Sequence, residues 1–230
     1  MKREKRTRET LALLCSGFVG LMTPLIWSTR IFRYRSAGIL SPVGVAGLKF
    51  FTVLSNLFNG LAALLYALWL VPVLLRKRER VPYPLHLLKY VSTAAVALTF
   101  LVVVVFLGPH YGFGSMYTGA NLWFHLLLPL ISMLEFALLD GFHPLPLRSS
   151  LLTLLPPLCY GLAYLVNLLV NGVSHSTDWY GFVNWGMGVG LGIFAVILLL
   201  TWGMALLLRA GNLRTQRRLP ITKAQEITNR

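Results

Sequence analysis

Six long apolar runs, separated by short polar or basic stretches, make up most of the chain. They cover roughly residues 9–28, 46–74, 88–108, 120–140, 151–172 and 184–208. A helix of about 20 apolar residues, rising 1.5 Å per residue, matches the roughly 30 Å thickness of a bilayer's hydrocarbon core. Each run therefore predicts a membrane-spanning helix. A closed barrel would show strands of about ten residues alternating apolar and polar, and that alternation is absent. Short connections predict antiparallel neighbours, hence one compact all-α bundle of six transmembrane helices over residues 1–230, with 209–230 a basic tail.

The polar positions inside these runs are few and ordered. In the second run Lys49, Thr52, Asn56 and Asn59 are spaced three, four and three, so they share one helix face, and Ser55 lies beside them. In the fourth run Asn121, His125, Ser132 and Glu135 follow at four, seven and three. Pro129 in the same run removes a backbone hydrogen bond and bends the helix near His125. Polar groups at membrane depth are expensive, so such stripes face a partner or a cavity.

Composition agrees with a membrane protein. Hydrophobic residues make up 56% of the 230 and charged residues only 12%, against about 25% charged in soluble domains. The formal charge is +14, which in a soluble protein would raise nucleic acid as a partner. Here the charge flanks the apolar runs, as the positive-inside rule requires, and no nucleic-acid role is expected. With the N-terminus inside, 17 of the 21 Lys and Arg fall in segments 1–8, 75–89, 141–150 and the tail, and Arg30, Arg33, Arg35 and Lys49 fall outside. Both termini are thus expected in the cytoplasm, in a multi-pass protein of the plasma (cytoplasmic) membrane. Arg209, Arg214, Arg217, Arg218 and Lys223 suit contact with anionic headgroups. The Arg-bearing loop from Thr29 to Gly47 reads as a substrate-facing cover or a solvated connector. The basic Met1–Arg8 stretch before an apolar run resembles a signal peptide, but no clear cleavage site follows, so the run reads as a retained span. Cys15 and Cys159 fit neither a disulfide framework nor a zinc pattern and read as small buried hydrophobes.

Orientation adds a depth. Thr52 lies about six residues into the second run and His125 about five into the fourth, which puts both roughly 8–9 Å below the outer helix ends. A hydroxyl and an imidazole at one level point to nucleophilic catalysis. A Thr hydroxyl attacks once a neutral imidazole removes its proton, and the oxyanion then needs donors. Asn56, Asn121 and the Trp185 indole are candidates, with Asn184, Ser55 and Lys49 nearby as supporting groups. No side chain is evident to orient His125, since Asn121 lies one turn above it and Glu135 about 15 Å deeper. Polar side chains are expected to gather in the outer half. The plainer reading is that Thr52 bonds back to a helix carbonyl and His125 to a neighbouring helix.

The ordered pair Lys49-Phe-Phe-Thr52-x-Leu-Ser-Asn and His125-x-x-x-Pro129 resembles the androgen-induced and androgen-dependent transmembrane hydrolases and their bacterial relatives. The likeness extends to the number of spans and the position of each motif. It implies a threonine hydrolase of fatty acid esters of hydroxy fatty acids, with Thr52 as nucleophile and His125 as base, and no cofactor or metal. The Arg-rich first outer loop and the segment His110–Gly119 depart from the family pattern. A lipid ester would reach such a site laterally from the bilayer, at about 0.8 kcal/mol per buried methylene. Trp123, Phe124, Trp179, Tyr180 and Trp185 read as an interfacial belt.

Two other classes compete. His110, His125, His175 and Asp178 are of types that suit zinc, but lack the tight spacing of a helical zinc motif. A non-enzymatic lipid-binding or transport protein would use the polar stripes to line a cavity, though no duplicated halves are evident. A haem carrier is disfavoured because His125 alone of the 5 His lies well inside a run. An intramembrane serine protease would need a Gly-x-Ser-Gly turn, and none occurs. Acyl transfer to an acceptor other than water would share the first half-reaction. The natural lipid and the oligomeric state are not encoded in these motifs.

Overall fold

The computed structural model describes residues 2–28 and 45–218. Arg30, Arg33 and Arg35 of the first loop and Lys223 of the tail lie outside the described residues. Six helices are long and apolar enough to cross a membrane, and no strand occurs among the described residues. In chain order they are α1 (Lys2–Ser28), α2 (Phe51–Leu74), α3 (Tyr83–Tyr111), α4 (Gly119–Leu138), α5 (Leu147–Asn171) and α6 (Met187–Arg218). The protein is an all-helical, multi-pass membrane protein. Many leucines face outward, among them Leu14, Leu68, Leu169 and Leu207, where acyl chains would cover them.

Helix α1 lies close along α2. A Cβ added to Gly60 would stand 2.8 Å from Thr23 Oγ1, and one added to Gly20 would stand 2.9 Å from the Leu64 Cα. Helices α2, α3 and α4 then pack through Ser55, Asn59 and Ser92, and α6 closes against α3 and α4, with the Tyr90 hydroxyl donating to the Ala205 carbonyl at 2.8 Å. The α3 and α4 helices each widen into one π-type turn, at Val103–Leu107 and Trp123–Leu127.

Three boundaries differ from the sequence reading, and each matters. Helix α2 begins at Phe51 rather than 46, which puts Thr52 in its first turn and not about six residues in as expected. Helix α3 begins at Tyr83 rather than 88, because Pro82 and Pro84 stand where a helix start needs no amide donor. Lys89, counted among the cytoplasmic connecting charges, is therefore inside the bundle and 1% exposed. His86 is fully buried on the same helix, so His125 is not the one histidine well inside a span. Helix α6 begins at Met187, which leaves Asn184 and Trp185 in the preceding connection. Polar side chains are not confined to the half of the bundle near Thr52 either, since Lys89 pairs with Glu135 and His86 with Asp140 toward the opposite end. Cys159 is exposed and Cys15 half-buried, so neither is the small core residue expected.

Candidate active site

Helix α2 starts sharply. A short turn (Val45–Lys49) precedes it, Phe50 is extended, and Phe51 is the first helical residue. The first amides of any helix lack internal partners. Here the Phe51 N–H donates to the Tyr180 hydroxyl at 2.9 Å, and Thr52 follows with its own amide facing the same hydroxyl. Thr52 is half-buried. Its carbonyl accepts from Asn56 Nδ2 at 2.8 Å and from Ser55 Oγ at 3.2 Å.

His125 sits in the π-type turn of α4 and is 1% exposed. Pro129 contributes to that widening, because it offers no amide to the carbonyl four residues earlier. Such turns recur at functional sites. His125 Nδ1 lies 3.0 Å from the Met116 carbonyl oxygen. A carbonyl only accepts, so Nδ1 carries the proton and Nε2 keeps its lone pair. The orienting partner that no side chain supplied is thus a backbone oxygen in the connection before α4. The Asn121 amide holds that same connection by donating to the Ser115 carbonyl at 3.3 Å.

Asn56 joins the two helices. Its Nδ2 donates to Thr52 O and, at 3.0 Å, to the carbonyl of Phe124, the residue before His125. Around it Phe50, Val53, Phe124 and Leu128 form one apolar cluster. Both amide hydrogens of Asn56 are engaged, so it acts as a brace and not as the free oxyanion donor expected. Ser55 is likewise committed, its Oγ standing 3.0 Å from Thr99 Oγ1 of α3.

Residues 172–186 form a strap that carries Trp179, Tyr180 and Trp185, three of the five aromatic residues read as an interfacial belt. Asp178 organises it. Its Oδ1 accepts the Tyr164 hydroxyl at 2.5 Å and the Phe182 amide at 2.9 Å, and its Oδ2 accepts the Val183 amide at 3.0 Å. Tyr164 in turn accepts the Tyr180 amide at 3.2 Å. The Trp179 indole donates to Tyr160, whose hydroxyl donates to the Lys49 carbonyl at 2.6 Å. These bonds seat Tyr180 on the start of α2. Burial pushes the Tyr180 phenol up to about 12, against the pull of the Phe51 amide, so it stays protonated at neutral pH. A signal for it existed in the sequence, a tyrosine two residues past an acidic residue in the connection before the last run, but nothing tied it to Thr52.

The remaining candidates separate from this level. Trp185 is 73% exposed, and Asn184 stays within the strap against Gly181, whose φ is +68°. Both were expected at the head of the last helix, but its start at Met187 leaves them in the strap. Lys49 lies over the rings of Phe50 and Trp179, 5.2 Å and 5.6 Å from their centroids. The residues weighed as zinc ligands do not converge, because His125 is turned to Met116 and Asp178 is used by the strap. Among the described residues no three His, Cys, Asp or Glu side chains gather as a metal site. No family model, no curated protein and no solved structure matches the chain.

Proposed function

We propose that the protein is an intramembrane lipid-ester hydrolase in which Thr52 is the nucleophile and His125 the general base. The observation that carries this reading is the His125 Nδ1 contact with the Met116 carbonyl, which leaves a buried imidazole with Nε2 ready to accept a proton. Asn56 supports it by fastening the start of α2 to the turn that holds His125. The helix N-terminus at Phe51 adds a favourable field for negative charge developing on Thr52.

In the first step His125 Nε2 takes the Thr52 proton as Oγ1 attacks the ester carbonyl. The tetrahedral oxyanion is stabilised by the Tyr180 hydroxyl, with Asn121 as the further candidate donor. The imidazolium then protonates the leaving alkoxide, releasing a hydroxy acid and leaving acyl-Thr52. Water, deprotonated by the same Nε2, attacks the acyl group and regenerates the hydroxyl. The substrate class is an apolar ester delivered from the bilayer, with fatty acid esters of hydroxy fatty acids the named candidate. The basic segments flanking the spans support a place in the cytoplasmic membrane with both termini in the cytoplasm.

Purified protein in liposomes, assayed on a branched fatty acid ester, tests the reading. Turnover should fall below detection in Thr52→Ala and by about 10²–10⁴-fold in His125→Ala, with elution unchanged. Turnover by Thr52→Ala equal to wild type would sink it.

A further inference from the structure

The half of the bundle away from Thr52 holds a second constellation, independent of hydrolysis. Lys89 Nζ contacts Glu135 Oε1 and donates to Ser16 Oγ at 2.6 Å. It also lies 3.8 Å from the centre of the Tyr66 ring. One turn away His86 Nδ1 stands 3.1 Å from Asp140 Oδ1, within ion-pair distance but out of line for a hydrogen bond. Both ring nitrogens of His86, both carboxylate oxygens of Asp140, the Tyr66 hydroxyl and the Thr93 hydroxyl are buried without a well-aligned hydrogen bond, although His86 and Tyr66 both lie against Asp140. Buried polar atoms are almost always satisfied, and exceptions call for a functional explanation. Two carboxylates, one ammonium and one imidazole are electrically neutral only when the group holds one further proton, and uncompensated charge at this depth is costly.

The groups that face this pair come from every element around it. They are Tyr66 of α2, Lys89 of α3, Glu135 of α4 and His143 of the 139–146 connection, with Glu9 of α1 beyond Tyr66 and Arg80 beyond His143. From α6, Asn212 donates to the backbone carbonyls of Asp140, at 2.6 Å, and Phe136, at 3.2 Å. His143 is half-buried, its ring centroid is 5.8 Å from that of His86, and its Nε2 is held 2.5 Å from the Val81 carbonyl.

We propose that His86 and Asp140 form a buried proton-binding site, which takes up and releases one shared proton through His143 at the basic end of the bundle. The proton comes from solvent and returns to it, so no other reactant is consumed. Its occupancy changes the charge held between α2, α3 and α4, the helices that also carry the Thr52–His125 level. Geometry carries the assignment: paired titratable groups, orphaned polar atoms and a half-buried imidazole between them and the surface.

Infrared difference spectroscopy of purified protein, stepped reversibly through the histidine and carboxylate pH ranges, tests it. Wild type should show a reversible imidazole or carboxyl band that both His86→Gln and Asp140→Asn abolish, because one proton is shared. Tyr66→Phe, which removes a single hydroxyl beside Asp140, should displace that band and serves if the charge variants fail to fold. No such band in folded wild type, its loss in one variant alone, or an unmoved band in Tyr66→Phe would overturn the proposal.

Discussion

At the scale of residues, side chains at membrane depth divide by whether their polar atoms are paired. Asn59 Nδ2 donates to Ser132 at 2.8 Å while its Oδ1 accepts from Ser92 at 3.2 Å, so this part of the polar stripe is structural. Lys89 and Glu135 are paired so deeply that removing one leaves an uncompensated charge. Glu135→Leu should therefore destabilise the bundle by roughly 3–5 kcal/mol, whereas Lys89→Met with Glu135→Leu should be nearly neutral. Thermal unfolding in detergent separates the two outcomes. Asp140 makes a second prediction. Burial pushes its carboxyl up, but His86, Lys89 and the Tyr66 hydroxyl outweigh that and hold it below the usual range. A depressed carboxyl contributes stability that is complete above the unfolded value, about 3.9, and lost as pH falls through the folded one. Wild-type melting temperature should accordingly drop at acid pH, and Asp140→Asn should flatten that dependence.

At the scale of elements, the spans were legible because twenty-residue apolar runs admit one reading. Their ends were not, and the ends carry the chemistry. The stretch Arg76–Lys89 reads as a cytoplasmic connection because five of its residues are basic. Pro82-x-Pro84, a helix-start signal, was the cue that His86 and Lys89 belong to a span. The stripe with Thr52, Asn56 and Asn59 was visible as a periodicity, as was His125. What held them was invisible, because a carbonyl at Met116 and a hydroxyl at Tyr180 become neighbours only through folding. Close packing of α1 on α2 gives a third prediction. Gly20→Val should destabilise by about 1–3 kcal/mol through overpacking, since its Cβ would meet the Leu64 backbone at 2.9 Å. Gly17→Ala, with nothing within 4 Å, should be neutral or slightly stabilising, again by thermal unfolding.

At the scale of the molecule, the bundle sets two polar levels at opposite ends. Near the start of α2 lie Thr52, His125 and the strap. At the other end the connections 75–82 and 139–146 meet the amino-terminal part of α1 and the carboxy-terminal part of α6, where Arg209 donates to Leu145 O at 2.7 Å and Thr215 to Ala137 O at 2.8 Å. The concentration of Lys and Arg there predicts that this end faces the cytoplasm. Reporter fusions at either terminus should both read cytoplasmic, and an opposite reading for one would break the six-span topology. Substrate would then enter the Thr52 level from the outer half of the bilayer.

The most direct test of the central claim is covalent labelling by a fluorophosphonate lipid probe, with the modified residue mapped by mass spectrometry. The account predicts an adduct on Thr52 in wild type, none in Thr52→Ala, and strongly slowed labelling in His125→Ala, all three eluting alike on size exclusion. Folded wild type that resists the probe, or an adduct that persists in Thr52→Ala, would contradict it.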